Sequence, residues 1–587
     1  MPTYAFQHRR YWLEAGSGSG DVTAVQGEID IAFWQAIDNA DMATLGVDPG
    51  QPIGDVLPVL SAWRQRQRQR SVTDSWRYRI GWKPLTAEPA RLSGTWLLVA
   101  SDTVEIDQRL TEIMTRSGAR VRWANVALDQ TDRDKFSAEL TAEIVASGIS
   151  GVLSLLALDD QPSAHTSAVS RGVYGNVLLL QVLNALEVAV PVWCVTSGAV
   201  SVGASDRLRN VVQAQMWGLG QVAGLEFPQW WGGLIDLPVE WDPSVLQQLC
   251  SALSRRDGED QLAVRVSGTL GRRMLRAPGR AGESQLWSPR GTVLITGGTG
   301  GIGAHLARWA AGNGAEHLVL VSRHGPAAPA ASELQQELQS LGAQVTILAA
   351  DMSNREDVAE VLAVIDSGDI ALRAVIHAAG VAADTGIPEI GPASLQTVTA
   401  AKVRGAQNLD QLLGERSLDA FVLFSSGAAT WGSGLLAGYA AANAHLDALA
   451  HDRRARGLAA TSLAWGGWSG GGMAAVNDSG DYLDRMGVRL MDPELAIHAL
   501  SHAVGGEETQ LTIADIDWTV FTPIYTMARQ RPLIEQIPEA YAAQETDIST
   551  QTNHSLLRQR LNGLSRPEQL HVVLELVRTQ VALVLGH

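Results

Sequence analysis

Short apolar runs, separated by stretches whose apolar positions recur three and four apart, follow one another along most of the chain. A first series lies at 95–100 (TWLLVA), 121–126, 151–156 and 190–195. A second lies at 292–296, 317–322, 345–349, 374–377, 421–424 and 459–464, with 509–515 as a further strand. Runs apolar on both faces predict strands of a buried parallel sheet, and the intervening helical spacing predicts crossover helices. A βα order that occurs twice predicts an internal duplication. Ahead of it, 76–85 alternates as a strand should, and apolar spacing at 29–40 and 53–63 predicts a small helical hairpin. The Arg/Gln alternation at 64–70 reads as a solvated helix face, and 211–237 as a helix, a Trp-rich turn and a strand whose tryptophans pack.

The two copies differ after their first strands. The earlier continues as SDTVEID, without a glycine turn, and is expected to hold no cofactor. The later continues as TGGTGGIG, placing Thr296, Gly297, Thr299, Gly300, Gly301, Ile302 and Gly303 between strand and helix. Glycines let the backbone approach a pyrophosphate, and the helix N-terminus offers unpaired N–H groups. The fold class is therefore α/β with two Rossmann-like subdomains, a truncated structural copy and a complete catalytic one. The second catalytic strand ends in Ser322 and Arg323 rather than in an acid, which favours a 2′-phosphate and so NADPH over NADH. Asp351, with Met352 beside it, suits an adenine amino group. His377 opens HAAG, whose Ala378, Ala379 and Gly380 leave room for a nicotinamide ribose, while the histidine alone reads as a core residue.

Chemistry concentrates at 421–443, where a strand ends in a serine pair and Tyr439 opens an Ala-rich helix. Adding hydride to a ketone puts charge on oxygen, which needs an acid and a second donor. Tyr439 and Ser426 fit these roles. A free tyrosine has a pKa of about 10, so a cation must favour its phenolate, and Lys402 is the candidate. Asn443 follows one turn after Tyr439.

Length and composition exclude other classes. At 587 residues, three or more units are expected. The net charge of −17 counts against nucleic acid as the main partner. Cys194 and Cys250 follow neither a metal-ligand nor a disulfide pattern, so no metal is expected, and with no long apolar run the reading is cytoplasmic, without a membrane anchor.

At Lys402, Ser426, Tyr439 and Asn443 the sequence resembles the short-chain dehydrogenase/reductase superfamily, and within it the ketoreductase domains of modular type I polyketide synthases. Most of the superfamily has lysine four residues after the tyrosine; here Asn443 stands there and the lysine is Lys402, an exchange similar to that of synthase ketoreductases. The resemblance implies that Tyr439 donates the proton, Ser426 polarises the carbonyl, Lys402 lowers the tyrosine pKa, and Asn443 orders the site and a relay water. Lys402 and Tyr439 would also touch the cofactor. It implies a post-acyltransferase linker at 1–20, a helical dimerisation element at 28–72, a structural subdomain at 74–285, a catalytic subdomain at 286–530, and from 531–587 a linker towards a carrier domain. Both ends of the chain then read as excision points from a longer polypeptide.

The loop after HAAG reads Val381, Ala382, Ala383, Asp384, without the Leu-Asp-Asp motif of B-type enzymes, whereas Trp431 stands where A-type enzymes have theirs. Leu436 replaces the histidine of the epimerising A2 subtype. The implied activity is NADPH-dependent reduction of a β-ketoacyl thioester on an acyl carrier protein to an L-β-hydroxyacyl product without α-epimerisation. The implied partners are that carrier, the rest of the synthase module and a second copy of the chain paired through 28–72. The alternative is a reductively inert or epimerising scaffold. Residues 466–473 are expected to lead into a lid.

Overall fold

The computed structural model describes residues 63–64, 67–128, 133–164, 166–203, 205–279, 286–473 and 479–551, with isolated positions at 566, 569, 570, 574 and 578. The linker expected at 1–20, most of the element expected at 28–72 and most of the segment after 551 lie outside the described residues. Two compact units divide between Ser75 and Trp76. In the first, residues 67–75 are helical, and the Thr73 hydroxyl donates back to the Arg70 carbonyl at 3.1 Å.

Among the described residues, the second unit is organised by one continuous sheet of 15 strands. Its N-terminal half supplies β1 (Arg77–Pro84), β2 (Thr95–Ser101), β3 (Arg120–Val126), β4 (Ile149–Ser154), β5 (Val192–Ser197), β6 (Trp231–Leu237), β7 (Gln261–Arg265) and β8 (Gly268–Arg276). The C-terminal half supplies β9 (Thr292–Thr296), β10 (His317–Ser322), β11 (Gln344–Ala349), β12 (Leu372–His377), β13 (Ala420–Ser426), β14 (Thr461–Trp465), β15 (Val488–Arg489), β16 (Gln510–Ile513) and β17 (Asp515–Ile516). β15 and β17 pair with each other apart from the main sheet. The order is β11-β10-β9-β12-β13-β14-β16-β1-β8-β7-β6-β5-β4-β2-β3.

Both flanks are parallel and wound from the inside outward, so each first strand, β2 or β9, lies inside its own half. The copy built on β2 lacks an outer strand, because the chain passes from β3 through the helix Arg133–Ser147 directly to β4. β2, β6, β9 and β14 are buried along their whole length, as crossovers covering both faces require. The halves are continuous with each other through antiparallel β1 and β8, with β1 pairing to β16 on one side and to β8 on the other. The expected duplication is therefore present as two lobes of one sheet.

The antiparallel pair β7–β8 has no counterpart in the predicted strands. β8 carries Arg272, Arg273 and Arg276, a composition that reads as surface, yet Arg272 and Arg273 are buried. Glu259 and Glu535 hold Arg273, the latter at 2.8 Å from Nε, and Asp236 and Asp206 hold Arg265 of β7 at 2.9 and 3.0 Å. Glu535 belongs to a segment expected to be linker from 531. Instead Leu533, Ile534, Ile537 and Ala540 join a core cluster with Tyr78, Met274, Trp431 and Phe521. Four apolar side chains within eight residues cover the end of β8, so the folded unit extends past the expected boundary at 530.

The lobes also meet through helices. The helix Gln215–Glu226 packs along the helix Ala437–Ala455, which opens with the candidate tyrosine. A Cβ on Gly218 would overlap the Ala440 carbonyl, so only glycine permits this approach. Trp217 and Trp231 are buried in the same core, in agreement with the packing role expected of this tryptophan-rich stretch. No helix among the described residues is long and apolar enough to cross a membrane, and none of their acidic, histidine or cysteine groups forms a metal cluster.

Candidate active site

Ser426 is the last residue of β13, where the chain leaves the sheet into the short turn Gly427–Ala429, and its Oγ accepts from the Ala428 N–H at 3.3 Å. Tyr439 lies in the first turn of the helix Ala437–Ala455, with Asn443 one turn on and Asp447 one further, all on one face. Asn443 donates through Nδ2 to the Tyr439 carbonyl at 2.7 Å, which leaves its Oδ1 buried without a hydrogen-bond partner.

Lys402 reaches the same place from a π-helical turn, Ala400–Arg404, between the helices Pro392–Thr399 and Gly405–Leu413. Such turns recur at functional sites because they displace one side chain from the helical register. Its Nζ donates to the Phe424 carbonyl at 2.7 Å and stands 5.4 Å from the centre of the Tyr439 ring. Gly380 lies so close that a Cβ there would come within 2.6 Å of the lysine Cε.

Burial dominates the electrostatics. It pushes the Tyr439 phenol above its ordinary value, with the Ser426 and Asn443 side chains partly offsetting it. It pushes Lys402 down to about 7, against the attraction of Asp447. Asp447 is itself pushed up to about 6, offset by Ser462, which donates to it at 2.6 Å, and by Ser425, Arg272 and Lys402.

His377 was expected to be a core residue, and it also has a task. The Ala379 N–H donates to Thr296 Oγ1 at 3.3 Å, that hydroxyl bonds His377 Nδ1 at 2.8 Å, and His377 Nε2 bonds the Lys402 carbonyl at 3.1 Å. A neutral ring can donate at one nitrogen and accept at the other, and burial holds this histidine neutral by pushing it down to about 4. The chain of bonds ties the end of β9 to the turn that carries Lys402. Sequence spacing did not reveal this role, nor the place of Asp447, although the four-residue interval from Asn443 put it on the same helix face as Tyr439.

The glycine turn lies between β9 and the helix Gly301–Gly312. Gly297 sits at φ +71° with its α-carbon face against Ala379, a conformation that favours glycine. The helix Gly301–Gly312 starts from Gly300, whose lack of a side chain leaves the first N–H groups uncapped. Thr299 donates to the Ser322 hydroxyl at 2.8 Å and Ser322 accepts from the Gly325 N–H at 3.0 Å, which fixes the turn to the end of β10. Arg323 is exposed and has no partner among the described residues. Asp351 accepts from Ser353, at 2.9 Å from its N–H and 2.8 Å from its hydroxyl. The Met352 side chain is in the core and its carbonyl accepts from Asn408 Nδ2 at 3.0 Å, so Met352 does not occupy the place expected for it beside an adenine. The glycine turn and the uncapped helix start fit the pyrophosphate of a dinucleotide.

A cavity of about 490 Å³ joins the two sets of residues: Lys402, Ser426 and Tyr439 line it together with Ile302 and Ala378 from the ends of the glycine turn and of β12, and with Trp431 and Leu436. Trp431 is also packed edge-on to Phe521 at 5.8 Å, so the packing and lining roles coincide. Gly471 lies against Gly301, and the expected lid continues into 474–478, outside the described residues. A more open cleft of about 640 Å³ in the N-terminal lobe is lined by Glu105, Asp107, Glu240 and Asp242 and lacks such a constellation. Beside it, where the other lobe has its glycine turn, Ser101, Thr103 and Arg171 bond Asp159 at 2.8, 2.9 and 3.1 Å.

A Rossmann fold with a glycine turn beside a serine, a tyrosine and a lysine defines an oxidoreductase that reduces ketones. Comparison with known proteins narrows the class. Residues 291–470 match the family described as KR domain, 81–274 the polyketide synthase extender module SpnB Rossmann fold domain, and 30–70 the polyketide synthase dimerisation element domain. Polyketide synthase GfsB of Streptomyces halstedii is 43% identical over 622 aligned residues, which take in 100% of this chain and 11% of that protein. The chain thus spans a small part of the curated relatives it matches. A solved A1-type ketoreductase is 41% identical, covered over 99% of its length by 80% of this chain, with a TM-score of 0.76. A solved C2-type ketoreductase from a modular polyketide synthase is 39% identical, with the same coverages and a TM-score of 0.74. The chain belongs to the ketoreductases of modular polyketide synthases.

Proposed function

We propose that the chain reduces a β-ketoacyl group, carried on the phosphopantetheine arm of an acyl carrier protein, to an L-β-hydroxyacyl group without epimerising the α-carbon, and that NADPH is its cofactor. The observation that carries this reading is the convergence of Ser426, Tyr439 and Lys402 on one cavity that also reaches the glycine turn. Bound NADPH supplies hydride to the β-carbon. Gly297, Gly300, Gly301 and Gly303 receive the pyrophosphate, Arg323 pairs with the 2′-phosphate, Asp351 faces the adenine, and Ala378 to Gly380 leave room for the ribose. Ser426 donates a hydrogen bond to the ketone oxygen. Tyr439 transfers its proton to that oxygen as charge develops, and protonated Lys402 favours the phenolate left behind. The unpartnered Asn443 Oδ1 holds a water that returns the proton.

Trp431 and Leu436 select the face of the ketone presented, and the lack of a histidine at 436 speaks for retention at the α-carbon. The match at 30–70 supports pairing of two chains through 28–72 within a synthase module. The test is chiral analysis of the product from racemic 2-methyl-3-ketopentanoyl-N-acetylcysteamine, run beside Tyr439→Phe. An L-β-hydroxy product from the native chain and loss of turnover with retained NADPH binding in Y439F are expected. A D-β-hydroxy product overturns the stereochemical assignment, and undiminished turnover in Y439F overturns the mechanism.

A further inference from the structure

Glu226 is the last residue of the helix Gln215–Glu226, in the lobe without the glycine turn. An acid there faces the negative end of the helix macrodipole. Partial burial adds to the cost and raises its pKa. What holds it in place is a pair of backbone N–H groups from two loops of the other lobe. Oε2 accepts from Ile387 at 2.8 Å and Oε1 from Leu435 at 2.9 Å. The loops also meet directly in a short parallel bridge between Thr385 and Leu436, in which the Thr385 N–H donates to the Leu435 carbonyl at 2.8 Å, so Glu226 clamps the two loops beside that bridge. Gln181, on the helix Arg171–Ala185, holds the first loop from the same lobe by donating to the Ile387 and Ile390 carbonyls at 2.8 and 2.9 Å.

Both loops end at the cavity. Ala382 and Asp384 line it from one, and Leu435 and Leu436 from the other. Leu435 is held at φ +66°, a left-handed conformation uncommon for a residue with a side chain, and the Glu226 bond is to its own N–H. The neighbouring Leu436 lines the cavity.

We infer that Glu226 is a positioning residue for stereochemical choice: its carboxylate sets the separation of the loop after Gly380 from the loop before Tyr439, and so the shape of the space that receives the acyl chain. The inference rests on the roles proposed above for Trp431 and Leu436. It gives the N-terminal lobe a part in selectivity through Glu226, assisted by Gln181, without contact with the reacting atoms.

Glu226→Gln tests it on the whole chain. The amide has nearly the same shape, but it can accept one N–H and must turn its own NH2 toward the other. With racemic 2-methyl-3-ketopentanoyl-N-acetylcysteamine, the share of minor diastereomers in E226Q should rise by about fivefold to tenfold, the scale of one ordinary hydrogen bond. KM should rise more than kcat falls, and NADPH affinity should not change. The diastereomer ratio is independent of the fraction of enzyme that is folded, so partial misfolding cannot mimic or hide the effect. An unchanged ratio in E226Q, with Y439F inactive, overturns this inference alone. Undiminished turnover in Y439F overturns the reading of the site and this inference with it.

Discussion

Lys402→Met separates what the lysine does for catalysis from what it costs the fold. The ammonium stands 5.4 Å from the centre of the Tyr439 ring. At that distance and an effective dielectric of about 20, a unit charge favours the phenolate by about 3 kcal/mol. Loss of it should slow proton transfer on the order of a hundredfold. Methionine keeps most of the stem that packs against Gly380. The pH dependence has a definite sign. With its pKa pushed down to about 7, Lys402 is charged below neutrality and discharges above it, so the native reduction rate should fall as pH rises through about 7. K402M should be slow and lack that limb.

Stability should move the other way. The unfolded lysine takes a proton below about 10.4. The folded one does so only below about 7, so stability is lost as pH falls between these values and stays low beneath them. K402M escapes this loss and should melt at a higher temperature at pH 7. The assay is NADPH oxidation with a β-ketoacyl-N-acetylcysteamine from pH 6 to 9, beside thermal melts. A K402M enzyme within threefold of native rates, or one that keeps the fall above neutrality, refutes the assignment of that limb to Lys402.

Three further outcomes follow from the same structure. Arg323→Ala should weaken NADPH binding far more than NADH binding, as measured by fluorescence titration, because the exposed guanidinium has no partner among the described residues and is proposed to pair with the 2′-phosphate; equal losses would remove the cofactor argument. Gly218→Ala places a methyl group on the Ala440 carbonyl and should destabilise the chain by about 1 to 3 kcal/mol in chemical denaturation, with a fall in kcat as the helix bearing Tyr439 shifts; an unchanged midpoint contradicts the packing described. Light scattering should give a dimer for the chain with residues 1–70 and a monomer without them, and a monomer in both cases refutes pairing through 28–72.

The strands that position the site were legible because they are apolar on both faces. The glycine turn at 296–303 and the end of β13 at Ser426 lie where that pattern puts them. The β7–β8 pair was not legible, because its arginines are buried by carboxylates as far away in sequence as Glu535, and no local pattern carries such a pairing. For the same reason the segment around Ile534 read as linker: its apolar residues are too few to predict burial without the surface of β8 that receives them. Glu226 was invisible for another reason, since its partners are main-chain N–H groups, which every residue but proline offers.

The place of β1 bears on how the chain is made. It is the first strand of the unit to leave the ribosome, yet it lies in the middle of the sheet, with Arg77 opposite Ile513 on one edge and Tyr78 opposite Arg276 on the other. The β8 partner arrives about 200 residues later and the β16 partner more than 400 later, as the register shows. Translation therefore finishes the N-terminal lobe first, leaving one edge of β1 as a template that waits for the reductase lobe. An interrupted or truncated polypeptide would expose that unpaired edge, the part of a sheet most prone to join another chain.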